Sequence, residues 1–183
     1  MGSQAATSLT THPAGRSELR GLLAAADVVI EASRPRALEQ LGVGPAVIQA
    51  EQPALTWVAI TGYGRTGPWC NRIAFGDDGA AAAGLVACDE SGDPVFCGDA
   101  IADPITGLYA AAGALAGLAG GGGFTVDVSL REAAAHVAST PAPLPATAVT
   151  PAAAPPRART PSGSAPAFGE DTDRVLRELG IRR

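Results

Sequence analysis

The sequence has few of the residues that usually mark metal centres or disulfide scaffolds. Only three cysteines, Cys70, Cys88 and Cys97, occur among 183 residues, and no two of them form a CxxC pair. The two histidines, His12 and His136, lie far apart in the chain. We therefore expect no metal site and no disulfide framework, and we interpret the cysteines as reduced thiols of a cytoplasmic protein.

Clusters of positive charge and long apolar runs are also lacking. The formal net charge is -5, and no Lys/Arg cluster of the kind that neutralises phosphates along a duplex is found. The longest apolar stretch, GLYAAAGALAGLAGG, is short and interrupted by glycine, and the N-terminus has no apolar signal region. Nucleic acid and membrane are therefore not expected as partners.

Aromatic residues account for only 4% of the chain, although hydrophobic residues account for 46%. Alanine and glycine make up much of that fraction, so close approach of backbones should contribute more to the core than large side chains. The length suits one domain of ordinary size.

Alternating strand and helix patterns predict an α/β fold with a parallel sheet. The run Asp27–Glu31 predicts a short strand buried on both faces, and Leu55–Thr61 predicts a second one. The segment between them favours two short helices, 36–41 and 46–52, which makes a βαβ unit. Further elements are expected at 17–26 (helix), 80–86 (helix), 95–97 (strand), 105–119 (helix), 124–129 (strand) and 130–137 (helix).

Composition also predicts where the domain begins and ends. Eight of the fifteen prolines fall between Pro141 and Pro166, which is typical of an extended linker. We expect a poorly defined segment over 1–20, an α/β domain over 21–137, a linker over 138–169 and a terminal helix over 170–183. Asp171 or Thr172 should cap that helix, and its apolar stripe must dock on this body or on another chain.

The stretch WVAITGYGRTGPW contains a literal GxGxxG from Gly62 to Gly67. This spacing is typical of dinucleotide-binding turns, which follow a strand and open a helix. A strand pattern precedes the loop, but Pro68 and Trp69 follow it and no helical period begins there. A plain tight turn or a loop that approaches another ligand therefore remains open beside a dinucleotide site.

The order of several motifs resembles the class III CoA-transferases, a family that includes formyl-CoA transferase, carnitine CoA-transferase and α-methylacyl-CoA racemase. The motifs are ADVVIEASRPRALEQLG, ALTWVAITGYGRTGPW, IADPITGLYAAAGAL, FTVDVSLREAA and APAFGEDTDRVLRELG. The resemblance implies a Rossmann-like large domain, an interlocked homodimer and no permanently bound cofactor. Coenzyme A and acyl-CoA would be substrates, lying against loops at the edge of the sheet.

The resemblance also implies which residues contact CoA. The loop that contains Gly62, Tyr63 and Gly64 would lie beside the CoA part of the substrate. Glycine would allow the backbone to approach the ligand closely, and the backbone amides of the loop would stabilise oxyanions. Arg34 matches the family arginine that contacts CoA, although Ala32-Ser33 replace the usual Asn-Phe before it. We interpret Arg65 as a solvated loop charge.

The family uses one aspartate as a nucleophile, and the matching segment here is AFGDDGAAAAGLV. A gapless match at the downstream Gly-Leu places Gly76 at the nucleophile's position, whereas a one-residue shift places Asp77 there. We favour Asp77, with Asp78 second; both acids can alternatively cap a helix. Asp103 is expected to cap the next helix.

The implied reaction moves CoA from an acyl-CoA to a carboxylic acid through an aspartyl-CoA intermediate. Family members also possess an N-terminal unit and a smaller second domain that find no match here. The chain would then be truncated, one half of a fused enzyme, or a subunit that forms a homodimer or needs a complementary partner. A non-catalytic CoA-binding or assembly subunit and a racemase-type relative remain alternatives.

Overall fold

A computed structural model describes residues 12–139, 157, 160 and 163–182, so most of the expected proline-rich linker lies outside the described residues. Three of the helices begin at a proline, whose fixed φ suits the first turn and whose missing N–H is not needed there. The helices are α1 Pro13–Ala24, α2 Pro35–Gln40, α3 Pro45–Glu51, α4 Gly76–Ala82, α5 Ala102–Ala119, α6 Leu130–Ser139 and α7 Thr172–Glu178. The strands are β1 Val28–Glu31, β2 Thr56–Thr61, β3 Val86–Cys88, β4 Pro94–Phe96 and β5 Thr125–Ser129.

The main sheet has three parallel strands in the order β1-β2-β5, which confirms the predicted α/β class. Strand β2 lies in the centre, and its apolar run TWVAIT is buried at nearly every position. Strand β1 pairs with β2 from Val28↔Thr56 onwards, and β5 pairs on the other side from Trp57↔Thr125. The β1–β2 unit therefore has the predicted parallel pairing.

The first strand differs from the expectation that both of its faces are buried. Val29 and Glu31 point inwards, but Ile30 is 59% exposed. Strand β1 lies at the edge of the sheet, and on its second face Val28 packs against the cluster of Val58 and Ala110 while Ile30 remains open. The continuous apolar run predicted a strand that is buried on both faces, and this prediction is wrong for Ile30.

Several boundaries after the glycine loop also differ from the expected ones. Helix α4 begins at Gly76 and ends at Ala82, earlier than predicted at both ends, and the last residue of the expected helix, Val86, begins strand β3. Strand β3 pairs antiparallel with β4 as a hairpin, with Val86 opposite Phe96. Helix α5 begins at Ala102 with Ile101 as its N-cap, so Asp103 lies inside the first turn and does not cap it.

Helix α5 packs on the sheet through small residues. Thr106, Ala110, Ala114 and Gly117 are buried, whereas Gly107 and Ala111 are exposed. The stripe faces Val58 and Val128 of the sheet through Ala110 and Ala114. Small side chains therefore set how closely the helix approaches β2 and β5.

This packing predicts opposite effects of alanine at two glycines of α5. A Cβ at Gly117 would lie 2.6 Å from Thr56 Cγ2, whereas one at Gly107 would meet nothing within 4 Å. We expect Gly117→Ala to lower the free energy of unfolding by about 1–3 kcal/mol through overpacking. Gly107→Ala, the matched control, should raise it by about 0.5–1 kcal/mol through helix propensity. Urea denaturation measures both, and equal effects would contradict the described packing.

The terminal helix docks on the body of the protein, which is one of the two arrangements expected from its apolar stripe. Leu176 and Thr172 are buried, and Ile181 lies against the backbone of Gly21 in α1. A Cβ at Gly21 would come within 3.0 Å of the Ile181 side chain. Asp171 is the N-cap by position, but its carboxylate pairs with Arg174 and makes no capping bond.

Candidate active site

A cleft of about 570 Å³ lies at the carboxyl ends of β1 and β2, beside the first residue of α6. Open α/β sheets usually bind ligands at this edge, and the volume falls in the range of small-molecule sites. Its apolar lining comprises Ile60, Ile73, Phe75 and Leu130 together with small residues. Its charged lining comprises Arg34, Arg72 and Asp103.

The glycine loop borders this cleft through its first residue. Gly62 lines the cleft, and a Cβ there would lie 2.6 Å from Ala74 Cβ, so close packing requires glycine. Gly64 has φ +92°, a conformation that side-chain-bearing residues rarely adopt, and its amide donates to Thr61 Oγ1 at 2.9 Å. No helix opens directly after the loop, because α4 starts only at Gly76. The context of a dinucleotide fingerprint is therefore absent from this described segment.

Tyr63 packs within the loop itself. Its ring meets Trp69 edge-on with centroids 5.5 Å apart, and neither Tyr63 nor Gly64 is among the residues that line the cleft. The structure thus brings Arg34 and Gly62 together in one cleft and places Tyr63 and Gly64 on the adjoining part of the loop.

Arg65 fixes the loop to the sheet, so its interpretation as a solvated charge is wrong. Its side chain is only 12% exposed and forms ion pairs of 3.0 Å with both Glu31 and Glu39. Its backbone amide donates to Asp127 Oδ2 at 2.7 Å. The long-range partners come from β1, α2 and β5, which the local sequence of the loop does not reveal.

Glu31 is the buried centre of this network, a role that the sequence patterns did not predict. Its Oε1 accepts bonds from Arg65 Nη1 and from Trp57 Nε1 at 3.3 Å, and Ser33 Oγ donates to its Oε2. An acid inside an apolar strand pattern is the signal that could have identified it, since buried charges need partners. Asp127 in the strand TVDVS gives the same signal.

The network predicts unequal losses of stability when its two acids are neutralised. We expect Glu31→Gln to lower the free energy of unfolding by about 2–3 kcal/mol, because Arg65 would lose its buried partner. Glu39 is 57% exposed, so Glu39→Gln should lower the free energy of unfolding by about 1 kcal/mol or less. Urea denaturation of both variants makes the comparison, and a Glu39→Gln loss as large as that of Glu31→Gln would contradict it.

The loop amides that could stabilise an oxyanion are partly engaged. Gly64 N–H donates to Thr61 and Arg65 N–H donates to Asp127. These bonds order the loop but leave neither group free for a substrate oxygen. The arginines of the cleft are the remaining donors with positive charge at this site.

The two candidate nucleophiles lie in the first turn of α4. Asp77 Oδ1 accepts a bond of 2.7 Å from the backbone N–H of Ala100, and Asp78 Oδ1 accepts one of 2.6 Å from Phe75 N–H. Asp78 therefore satisfies a free donor at the helix start, as capping acids do. Neither carboxylate lines the cleft directly, but Phe75, just before them, does. Neither acid forms an ion pair with any residue that the structure describes.

Gly76, the alternative position in a gapless match, has no room for a side chain. A Cβ there would lie 2.5 Å from the backbone oxygen of Ala100. Ala100 itself has φ 46°, a left-handed conformation that alanine adopts only at a cost of about 1–2 kcal/mol. The bond from Ala100 to Asp77 helps to hold this conformation.

Asp103 enters the cleft, which the sequence did not indicate. It is exposed in the first turn of α5, and its amide donates to the carbonyl of Ala100 at 2.9 Å. Ala100 thus connects Asp77 and Asp103 through its two backbone groups. The expected cap is instead a third carboxylate close to the candidate nucleophiles.

Residues 12–139 and 163–182 contain no group of three or more His, Cys, Asp or Glu side chains placed to hold a metal ion. Among the described helices, none is both long enough and apolar enough to cross a bilayer.

The chain is similar to known proteins in both sequence and fold. Residues 9–172 match CoA-transferase family III. An "Acyl-CoA transferase" of Fusarium pseudograminearum is 37% identical over 124 residues, which cover 64% of this chain and 27% of that protein. The "Succinyl-CoA--L-malate CoA-transferase beta subunit" of Chloroflexus aurantiacus is 38% identical over 110 residues, which cover 58% of this chain and 27% of that protein.

A solved structure with the same fold is that of a hypothetical protein (Rv3272) from Mycobacterium tuberculosis. The two chains superpose with a TM-score of 0.68 at 27% sequence identity. The superposed region covers 72% of this chain and 39% of the Mycobacterium tuberculosis chain. The chain therefore spans between about a quarter and two fifths of the length of these relatives.

Proposed function

Because this chain belongs to CoA-transferase family III, we propose that it binds acyl-CoA thioesters in the cleft and moves CoA to a carboxylic acid. The observation that supports this most strongly is the position of Arg34 and Gly62 in one cleft at the carboxyl ends of the strands. That edge is where an α/β sheet receives a nucleotide-containing ligand. The acyl-CoA is a substrate in this scheme, and no permanently bound cofactor is required.

Arg34 is proposed to bind a phosphate of CoA. Its guanidinium is exposed at the start of α2 and forms no ion pair with any carboxylate of the described residues. Arginine offers a planar fork of donors that matches phosphate oxygens. Gly62 lines the cleft where the pantetheine arm is proposed to pass, and Tyr63 and Gly64 support that loop.

Asp77 is proposed as the nucleophile. One carboxylate oxygen attacks the thioester carbonyl carbon, the C–S bond breaks, and CoA leaves as a thiolate from a mixed anhydride. The thiolate then attacks the aspartyl carbonyl, which releases the acyl carboxylate and leaves an aspartyl-CoA thioester. An acceptor carboxylate reverses these steps with its own oxygen, so the bonds balance without a redox change.

The environment of Asp77 suits this assignment better than that of Asp78. The bond from Ala100 N–H to Oδ1 orients the carboxylate of Asp77, and Oδ2 is proposed as the attacking oxygen. Asp78 Oδ1 accepts the N–H of Phe75 and so caps α4, and Asp78 is exposed whereas Asp77 is half-buried. Asp78 is the second candidate for the nucleophile.

A second candidate function is a CoA-binding or assembly subunit, or one half of a split transferase. The matched residues cover 27% of the malate transferase β subunit. Leu108 and Leu115 on the outer face of α5 are 73% and 67% exposed, which favours cover by further polypeptide. A homodimer or a complementary chain would supply it.

An isotope-exchange assay separates these functions. The β subunit relative is named for succinyl-CoA, so we choose succinyl-CoA and ¹³C-labelled succinate as probes for this protein. Labelled succinyl-CoA, detected by mass spectrometry, is expected if the chain transfers CoA. Saturable CoA binding without exchange would support the subunit function, and the absence of both binding and exchange would contradict both proposals.

A further inference from the structure

Trp69 and Arg72 form an ordered cationic group beside the glycine loop. The guanidinium carbon of Arg72 lies 5.1 Å from the centroid of the Trp69 ring, and Tyr63 contacts the same ring edge-on. Cation–π contact of this kind restrains a side chain that would otherwise sample many rotamers. Arg72 is therefore partly pre-organised before any ligand binds.

The guanidinium of Arg72 lines the cleft and has no carboxylate partner among the described residues. It lines the cleft, and it forms no ion pair with any acid among residues 12–139 and 163–182. In contrast, Arg65 is paired with two glutamates and Arg174 with two acids. Asp103 is the one charged acid in the cleft lining, and it does not pair with Arg72. The donors of Arg72 are thus available to an anion.

The position of Arg72 favours the acyl end of a thioester over its nucleotide end. Arg72 lies in the segment that leads into α4, which begins at Gly76, and the first turn of that helix contains Asp77. Ile73, Ala74 and Phe75, which connect Arg72 to this helix, line the same cleft. The phosphates of CoA lie at the far end of the pantetheine arm from the thioester carbon that the nucleophile must touch. An arginine on the segment that leads into the nucleophile's helix is better placed for a negative charge on the acyl group.

We propose that Arg72, held on Trp69, binds the second carboxylate of a dicarboxylic acyl group and makes the cleft selective for such thioesters. The inference rests on the proposed function, because it assigns a substrate class to the same site. A guanidinium group binds a pair of anionic oxygens, and a phosphate of CoA could supply such a pair as well as a carboxylate. The test must therefore separate the acyl carboxylate from the phosphates.

Matched thioesters make that separation. Succinyl-CoA and butyryl-CoA have the same CoA and the same acyl length and differ in the distal carboxylate, and free CoA reports the phosphates alone. We expect the full chain to bind succinyl-CoA about tenfold or more tightly than butyryl-CoA, as a charge-assisted hydrogen bond would give. Arg72→Gln should abolish that preference and leave the Kd of free CoA unchanged.

Three variants complete the design. Arg72→Lys keeps the charge without the fork and should retain part of the preference, and Trp69→Ala should weaken it by releasing the guanidinium. Arg36→Gln changes an exposed arginine of α2 that does not line the cleft, and it should leave the preference unaltered. Circular dichroism verifies that each variant folds.

Two results would overturn the inference. One is a succinyl-to-butyryl ratio that stays the same in Arg72→Gln, and the other is an equal loss of affinity for all three ligands, which would assign Arg72 to a phosphate. Free succinate and butyrate are titrated in parallel. If the protein binds no CoA compound but binds succinate through Arg72, the proposed function fails while the anion site stands.

Discussion

Asp77→Asn is expected to abolish both the covalent adduct and CoA exchange. An asparagine amide has no anionic oxygen to attack the thioester, whereas its shape preserves the acceptor for Ala100 N–H. Loss of a covalent nucleophile typically reduces turnover by about 10⁴-fold or more. Wild-type protein treated with an acyl-CoA should yield a hydroxylamine- or borohydride-trapped product at Asp77, detectable by peptide mass spectrometry.

The neighbouring acids provide matched controls for this experiment. Asp78→Asn should keep the adduct and lose about 1 kcal/mol of stability, because it weakens the bond to Phe75 N–H that caps α4. Asp103→Asn tests the acid that lines the cleft. An adduct that persists in Asp77→Asn and disappears in Asp78→Asn or Asp103→Asn would move the nucleophile to that residue.

Trp57→Ala should cause the largest loss of stability of the substitutions considered. Trp57 is fully buried on the central strand, within the cluster that includes Ile48 and Leu55. Truncation removes that packing, leaves a cavity and takes the indole donor from Glu31. We expect the free energy of unfolding to fall by about 3–5 kcal/mol, a large fraction of the 5–15 kcal/mol that is typical of a folded domain.

Trp69→Ala is the matched control for that experiment. Trp69 is 45% exposed on the loop, so its loss should cost about 1 kcal/mol or less in stability. Urea denaturation followed by far-ultraviolet circular dichroism avoids dependence on tryptophan fluorescence, which both substitutions alter. Similar losses for the two variants would show that the central strand is not the core of the fold.

Local sequence patterns were sufficient to predict most of the elements of the α/β body. The run TWVAIT was expected to be a strand because β-branched and aromatic residues suit a pleated, buried surface, and it is the central strand β2. The boundaries around Gly76 were wrong for a local reason. Asp78 sits at the third helical position and accepts the N–H of Phe75, so the helix begins before the alanine run that suggested it.

The candidate site was predictable only in part. The resemblance selected Arg34 and the glycine loop, and the structure places Arg34 and Gly62 in one cleft. The resemblance could not indicate that Asp103 enters the same cleft, because the position of Asp103 depends on how α5 meets the carboxyl ends of the strands. The roles of Asp77 and Asp78 stay predictions that the trapping experiment decides.

Local sequence patterns specify the alternation of strands and helices and the glycine-rich turn after β2, and the order of the motifs identifies the family. The strands, helices and turn follow from properties of neighbouring residues, such as β-branching, proline at helix starts and glycine where φ is positive. Tertiary packing, in contrast, buries Arg65 between Glu31 and Glu39 and leaves Ile30 open at a sheet edge. Charge pairing and burial depend on groups far apart in the chain, and one sequence alone does not specify which of them meet.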